Sequence, residues 1–281
     1  MDSALRPNRL CHPFTFSGVA NYAWAQGWRF WLSSLVVSLL AGALTVWLLL
    51  GAWMPILGSA ISQLPETAAI ENGRLIWSAK AQPVLAQGPH LSVMVDPRRA
   101  NSVSQSGDVQ VELGDTELRV RSFVGEFVWP YPPALRLDLS RAEVEPWWGA
   151  WSPIVLGAAF AATFLSLQIT WLILGSLQSI VVRLLAFYLD RRVNFGGAWR
   201  VGYASVFPGA LVMCLGIVLY LHLRLSLFGL ILFLPIHLMV NWVFMIGAAF
   251  RLPRFPDRAA SVRNPFHTEA TEPPKPTEPP V

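Results

Sequence analysis

The stretch that decides the fold is residues 146–182, PWWGAWSPIVLGAAFAATFLSLQITWLILGSLQSIVV, which contains no charged side chain. A helix needs about 20 apolar residues to cross the hydrocarbon core of a bilayer. This run is therefore too long for one span and short for two spans with a turn between them. The sequence predicts an integral membrane protein, and the number of crossings in this run sets the orientation of everything that follows it.

The arginines that follow this run decide between one crossing and two. Cytoplasmic loops of membrane proteins are enriched in Lys and Arg. A single crossing places inside the cell the arginines of the next loop and of the C-terminal tail: Arg183, Arg191, Arg192, Arg200, Arg251, Arg254, Arg258 and Arg263. Two crossings would place all of them outside. We therefore predict one span with a cytoplasmic helical extension, over residues 147–189.

Further apolar runs complete a bundle of four predicted spans. They cover residues 30–57, 201–223 and 225–250. Only Arg224 separates the last two, so we expect a tight helical hairpin with a short external turn. Pro208 and Pro235 lie inside these runs, and we expect kinks there, which membrane helices tolerate when neighbours satisfy the freed carbonyl groups.

Both termini are predicted to lie in the cytoplasm. The segments on that side are the N-terminal residues 1–29, the loop 190–200 and the tail 251–281. The tail is rich in Pro, Glu and Thr and lacks the apolar content that folding needs, so we expect it to be disordered.

Residues 58–146 change character and predict a small extracytoplasmic β-rich domain inserted between helices 1 and 2. Asn72-Gly73 is a strong hairpin signal, because a type I′ turn needs positive φ at both central positions. Residues 91–96 alternate as a half-buried strand, and a second hairpin turn follows Leu113. The predicted fold is an α-helical integral membrane protein with four transmembrane helices and this β-rich domain, whose core is near the lower size limit for independent stability.

Two sets of residues inside the spans are candidate sites. Ser34, Ser38 and Gly42 recur every four residues, and such a stripe of small residues lets a neighbouring helix pack closely. The second set is a polar cluster at comparable depth in two spans, formed by His237, Asn241 and Gln168.

The polar cluster has two interpretations. Polar residues are costly in a bilayer and mark sites or pathways. They also form interhelical hydrogen bonds, which are worth about 0.6–2 kcal/mol each. We favour the structural interpretation, because no acidic residue or lysine accompanies His237, and a proton or ion carrier normally has one.

Nothing in the sequence indicates catalysis. It contains no nucleotide-binding, zinc-protease or hydrolase motif, so we expect a non-enzymatic protein without a cofactor or metal. The net charge of +4 comes from basic residues beside apolar runs rather than from a continuous basic face, which argues against a nucleic-acid partner. Cys11 and Cys214 give the β-rich segment no disulfide.

Short sequence phrases carry a family resemblance: Leu64-Pro65 with Ile70-Glu71-Asn72-Gly73-Arg74-Leu75, and Trp199-Arg200-Val201 with Tyr203-Ala204 and Pro208. With the architecture, they resemble the bacterial membrane domain-of-unknown-function family 1189 over residues 14–250. The helical part is more distantly similar to Yip1-like membrane proteins. The resemblance implies a multi-pass protein of the bacterial cytoplasmic (inner) membrane, with no established reaction and no catalytic residues. Some members are labelled as accessory to maltodextrin utilisation, which implies a carbohydrate transport system as a candidate partner.

The leading hypothesis from the sequence is a sensing, scaffolding or accessory subunit of an envelope or transport complex. Its external domain would be the recognition element, and its partners would be the lipid bilayer and a membrane or envelope protein. The alternative is a small transporter or permease subunit that uses the polar cluster within the bundle. An intramembrane enzyme is a third and weaker alternative.

Overall fold

The chain folds into a helical bundle with a β region at one end. The computed structural model describes residues 11–25, 27–78, 83–96 and 107–254, without the side chain of Arg29. Within these residues, four helical segments are long and apolar enough to cross a membrane: Phe30–Ser62, Arg141–Tyr188, Phe195–Leu221 and Leu227–Arg251. We call them spans 1 to 4. The prediction of four such helices with a small β region is confirmed.

The described helices have the following bounds: α1 (Phe16–Asn21), α2 (Gly27–Leu48), α3 (Met54–Ser62), α4 (Arg141–Tyr188), α5 (Phe195–Ala204), α6 (Val206–Leu221) and α7 (Leu227–Arg251). A 3₁₀ turn (Tyr22–Trp24) follows α1, and a π-helical turn (Leu49–Trp53) joins α2 to α3. Span 1 therefore consists of α2, the π-helical turn and α3. Span 2 is α4, span 3 is α5 with α6, and span 4 is α7.

Prolines explain where two of the spans depart from regular α-helix. Pro208 has no N–H to bond to the carbonyl of Ala204, and its ring crowds that carbonyl, so span 3 breaks at Ser205. Pro55 likewise leaves the carbonyl of Gly51 without its usual donor, and the π-helical turn contains that carbonyl. The kink expected in span 3 thus takes the form of a break between two helices.

The uncharged run that decides the topology is one continuous helix. It begins at Arg141 rather than at the predicted residue 147, and its 48 residues end at Tyr188. Arg141 and Glu145 form an i,i+4 ion pair with a 2.9 Å contact, and Glu143 lies in the first turn, where a negative charge favours the helix dipole. A search for apolar runs misses this polar first turn.

Two other segments depart from the predicted bounds, because their ends are not set by apolar composition. Residues 195–200 were expected in the loop 190–200 but begin α5, because the Asn194 side chain caps that helix by accepting from the Gly197 N–H at 2.7 Å. Span 1 extends past residue 57 to Ser62. Local capping and packing set these ends, rather than the length of the apolar run.

Contacts gather the loop after α4, the end of α7 and the segment after α1 at the end of the bundle opposite the β region. Arg191 Nη1 donates to the carbonyl of Leu252 at 2.6 Å, which ties the loop after α4 to the end of α7. Arg200 Nη2 donates to the carbonyl of Ala23 at 2.7 Å, which ties α5 to the segment after α1. The predicted N-terminal segment 1–29 thus contains a short helix packed under the bundle. Most of the predicted tail lies outside the described residues.

The β region consists of two sheets. Among the described residues its strands are β1 (Ala69–Glu71), β2 (Arg74–Ile76), β3 (Val84–Gln87), β4 (Leu91–Asp96), β5 (Val109–Gly114), β6 (Glu117–Ser122), β7 (Gly125–Pro130) and β8 (Arg136–Asp138). The small sheet has the order β2-β1-β8 and the larger sheet β3-β4-β5-β6-β7. All pairs are antiparallel except β4 with β5.

Strand details agree in part with the sequence. The predicted hairpin at Asn72-Gly73 is confirmed, with φ of 51° and 74° at the two turn residues. The prediction that residues 91–96 form a half-buried strand is wrong in its burial, because β4 lies inside the larger sheet and is covered on both faces. β4 lies between β3 and β5 in this sheet, and the periodicity of a single strand does not reveal such a central position.

The β region shares its core with the end of span 1. Ala60 of α3 is buried in the same cluster as Ile70 and Leu75 of the small sheet and Leu91 and Val93 of the larger one. Part of the core of this small region therefore belongs to a span, which enlarges a core that the sequence places near the lower size limit for independent stability.

Candidate functional site

The small-residue stripe of span 1 faces span 2 and span 3. Ser34 and Ser38 are fully buried. A Cβ on Gly42 would lie 2.9 Å from the ring of Phe160 in α4, closer than normal van der Waals contact. The glycine thus leaves room for an aromatic ring from the neighbouring helix.

Gln168 lies in a hydrogen-bond network that joins spans 1, 2 and 3. Its Oε1 accepts from Ser34 Oγ and from Tyr203 Oη, each at 2.9 Å. Its Nε2 donates to Ser38 Oγ at 2.9 Å, and that hydroxyl in turn donates to the carbonyl of Ser34 at 2.9 Å. Each polar group named here has a hydrogen-bond partner. The network therefore holds the three helices together and leaves none of these groups free to bind a ligand.

Asn241 belongs to a separate network around the break in span 3. Ser205 Oγ lies 2.8 Å from Asn241 Oδ1, 3.0 Å from Gln178 Oε1 and 2.7 Å from the Gly202 carbonyl. One hydroxyl hydrogen cannot serve three acceptors. Turning both amides satisfies the set, because each NH₂ then donates to Ser205 Oγ and the hydroxyl donates to the Gly202 carbonyl. Sequence reasoning missed Gln178 and Ser205, although Pro208 marks the break that places Ser205 there.

His237 joins neither network. Its side chain is partly exposed on α7, and its Nδ1 is buried without a hydrogen-bond partner among the described residues. A Cβ on Gly209 of α6 would collide with the His237 carbonyl oxygen, so the glycine allows α6 and α7 to approach closely here. The predicted cluster of His237, Asn241 and Gln168 therefore does not form. Gln168 and Asn241 belong to separate networks, and His237 lies at a contact between α6 and α7.

A polar junction connects the β region to the end of span 3. Tyr220 Oη donates to Asp108 Oδ2 at 2.7 Å, and His90 Nδ1 lies 3.3 Å from the same oxygen. The His90 ring is buried and its centroid is 4.4 Å from that of Tyr220. Over the described residues, no group of three His, Cys, Asp or Glu side chains could hold a metal ion. The junction acts as an attachment.

Further contacts place one edge of the larger sheet against the helix ends. The ring of Phe123, in the turn between β6 and β7, lies 6.0 Å from that of Phe228 at the start of α7. A Cβ on Gly88, before β4, would lie 2.7 Å from the Ile56 side chain of α3. Together with His90 and Asp108, these residues place the starts of β4, β5 and β7 at the ends of the spans.

The strand β7 is the exposed edge of the larger sheet. Each of its residues is exposed, and the side chains include Phe127 at 61%, Val128 at 48% and Trp129 at 65%. No described strand pairs with its outer side. Long, apolar and exposed edges invite pairing with another chain, and proteins usually protect them.

One face of the larger sheet holds a buried ion-pair network. Glu112 is 2% exposed and contacts Arg119 Nη1 at 2.9 Å and Arg121 Nη1 at 3.1 Å. A hydrogen bond from Arg119 to Glu117 raises the pKa of the arginine, which therefore keeps its charge, and burial opposes this effect. Arg121 also contacts the exposed Glu126 of β7 at 3.1 Å. The network orients β5, β6 and β7 relative to one another.

Comparison with known proteins adds no name to this arrangement. No family model, curated protein or solved structure matches the chain. The family resemblance drawn from the sequence stays a prediction.

Proposed function

We propose that this chain is a non-enzymatic subunit that senses, scaffolds or assists an envelope or transport complex in the bacterial inner membrane. Its β region is the recognition element on the extracytoplasmic side, and the spans hold that region at the membrane surface. The partner is a membrane or envelope protein, with a carbohydrate transport system as one candidate.

The observation that carries the proposal is the attachment of the β region to several spans. It shares a core with span 1, accepts a hydrogen bond from Tyr220 of span 3 and contacts Phe228 of span 4. A passive linker does not need such attachments. They fix the orientation of the exposed strand β7 relative to the bilayer, which is the property a recognition surface requires.

The arginines support the proposed orientation. The loop after α4 and the end of α7 carry Arg191, Arg192, Arg251 and Arg254 at the end of the bundle opposite the β region. Cytoplasmic flanks are enriched in such residues. The orientation with both termini in the cytoplasm and the β region outside follows from that bias.

Replacing residues 66–138 by a short Gly/Ser linker tests the proposed function. We expect the bundle to assemble but to lose its co-purifying partner, because the recognition surface is removed while the interhelical networks remain. The measurement compares proteins that co-purify with the full chain and with the linker variant in nanodiscs. A linker variant that keeps its complete set of partners and full cellular activity would exclude this function.

The alternative function, a small transporter or permease subunit, is favoured by the buried Nδ1 of His237 without a described partner. His237→Leu separates the two. If His237 only packs α7 against α6, the variant loses at most about 1 kcal/mol of bundle stability and keeps its cellular phenotype. Loss of the phenotype at unchanged abundance and melting temperature would support transport.

A further inference from the structure

The outer edge of β7 has main-chain groups arranged to accept another strand. We propose that the partner binds there as an extended segment of a different protein, antiparallel or parallel to β7, and enlarges the sheet by one strand. This inference rests on the proposed function, since it specifies how the β region recognises its partner. The hydrogen-bond register, the composition of the strand and its direction relative to the spans support this inference.

The register with β6 shows which groups are available. Tyr131 N donates to the carbonyl of Thr116 at 2.9 Å, so this position is a hydrogen-bonded pair of the β6–β7 ladder. Hydrogen-bonded positions alternate along an antiparallel pair with positions whose groups point away. Counting back from Tyr131 in steps of two, the outward groups of β7 are those of Glu126, Val128 and Pro130. Glu126 and Val128 each offer a donor and an acceptor, whereas Pro130 offers only a carbonyl.

The composition of β7 favours pairing and limits its length. Protected edges carry lysine, proline or inward-pointing charges along the strand. Here the sequence GEFVWP has one charge, Glu126, and its proline is at the last position. A pairing strand can therefore engage two successive outward residues before Pro130 removes the next donor. Phe127 and Trp129 lie on one face of the sheet and give an incoming strand an apolar contact.

The direction of β7 excludes a second copy of this chain as the occupant. Two identical strands that pair side by side in antiparallel fashion are related by an axis perpendicular to them. Two copies in one membrane with the same orientation are related by an axis along the membrane normal. The turn at Phe123 touches the start of α7, and Asp108, at the same end of the larger sheet, bonds to Tyr220 of span 3, so β7 leads away from the span ends. Trp129 lies about 17–20 Å from Phe123 along the strand. The two axes do not coincide, so antiparallel self-pairing would invert one copy in the bilayer.

The same symmetry rules out parallel self-pairing. A twofold axis along the strands places Glu126 of both copies at one height, with donor facing donor. Parallel ladders instead need the two strands to be offset by one residue, so that each outward residue bonds to the neighbours of its opposite position. The occupant is therefore a strand with its own sequence.

The test uses the full chain in its native membrane, with the photo-cross-linker p-benzoylphenylalanine in place of Trp129. We expect one dominant adduct with a different protein. Val128→Pro removes the outward donor and should lower the yield of that adduct at least tenfold. Val128→Thr keeps the donor and the branched side chain and should leave the yield within twofold of the parent. The adduct alone does not support the inference; its dependence on the main-chain donor does.

A second variant and a measurement on the unsubstituted chain distinguish a lost main-chain donor from a misfolded protein. Glu126→Pro removes the other outward donor and should have the same effect, with melting temperature as the check on folding. In the unsubstituted chain, hydrogen exchange at Glu126 and Val128 should be slow in native membranes and fast once the co-purifying partner has been stripped from the purified chain. An adduct that survives both folded proline variants, an adduct with a second copy, no adduct at all, or equal exchange in both states overturns the inference. If only the linker variant loses the partner, recognition by the β region stands and the strand mechanism fails.

Discussion

Gly175→Leu is expected to prevent assembly of the helical bundle. A Cβ on Gly175 of α4 would lie 2.9 Å from Cβ and 3.0 Å from Cα of Tyr203 in α5. The second of these is a backbone atom, which no side-chain rotation can move. The facing residue Gly202 is equally restricted, since its Cβ would lie 3.0 Å from the Gly175 carbonyl oxygen. Overpacking typically costs about 1–3 kcal/mol, and we expect the upper end of this range here because a backbone atom is in the way.

The same helix provides a matched control for this prediction. Gly157 has nothing within 4 Å of its Cβ position and is exposed, so Gly157→Leu should leave the midpoint of unfolding unchanged or raise it. The measurement is the denaturation midpoint of each purified variant in the same detergent. Equal loss of stability in both variants would show that the α4–α5 crossing is looser than the structure indicates.

Glu112→Ala is expected to destabilise the β region by about 3 kcal/mol. Removing one partner from a buried ion pair leaves the other charge uncompensated, at a cost of about 3–5 kcal/mol. Arg119 keeps its hydrogen bond to Glu117, so we expect the lower end of this range. Hydrogen exchange of the β5 and β6 amides reports this local stability in the full chain.

Two further variants test whether the loss of stability in Glu112→Ala comes from the lost charge or from lost packing. Glu126→Ala removes a carboxylate that is 44% exposed and should cost less than about 1 kcal/mol. Glu112→Gln keeps the shape and removes the charge, so it should show most of the loss seen with Glu112→Ala. Full stability of Glu112→Gln would mean that packing, rather than charge, holds β5 to β6.

The sequence could predict the features that depend on composition and local turns. The number of spans followed from apolar length and the distribution of arginines, and the turn at Asn72-Gly73 followed from its φ requirement. The start of α4 at Arg141 did not, because its first turn is polar and is stabilised by an ion pair. A hydropathy pattern contains no information about such contacts.

The candidate site also combines features that the sequence could predict with features that it could not. Gln168, Asn241 and His237 were recognisable as polar residues inside apolar runs, but their partners lie on other helices. Tyr203 and Ser205 belong to the same short stretch of span 3, yet they contact different networks, because residues two positions apart on a helix point to different sides. The exposed edge β7 was also hidden, since strand order in a sheet is a property of the whole β region.

The continuous helix α4 gives the molecule a mechanical property. Its 48 residues correspond to about 72 Å at 1.5 Å per residue, more than twice the thickness of the hydrocarbon core. One end begins just after β8, and the other is followed by Arg191, which bonds to the Leu252 carbonyl. Because a helix is stiff along its axis, a piston-like shift of the small sheet by a few ångströms would reach Arg191 nearly undiminished. Span 3, interrupted at Ser205, would absorb such a shift by bending, so α4 is the continuous connection between the small sheet and the loop at Arg191.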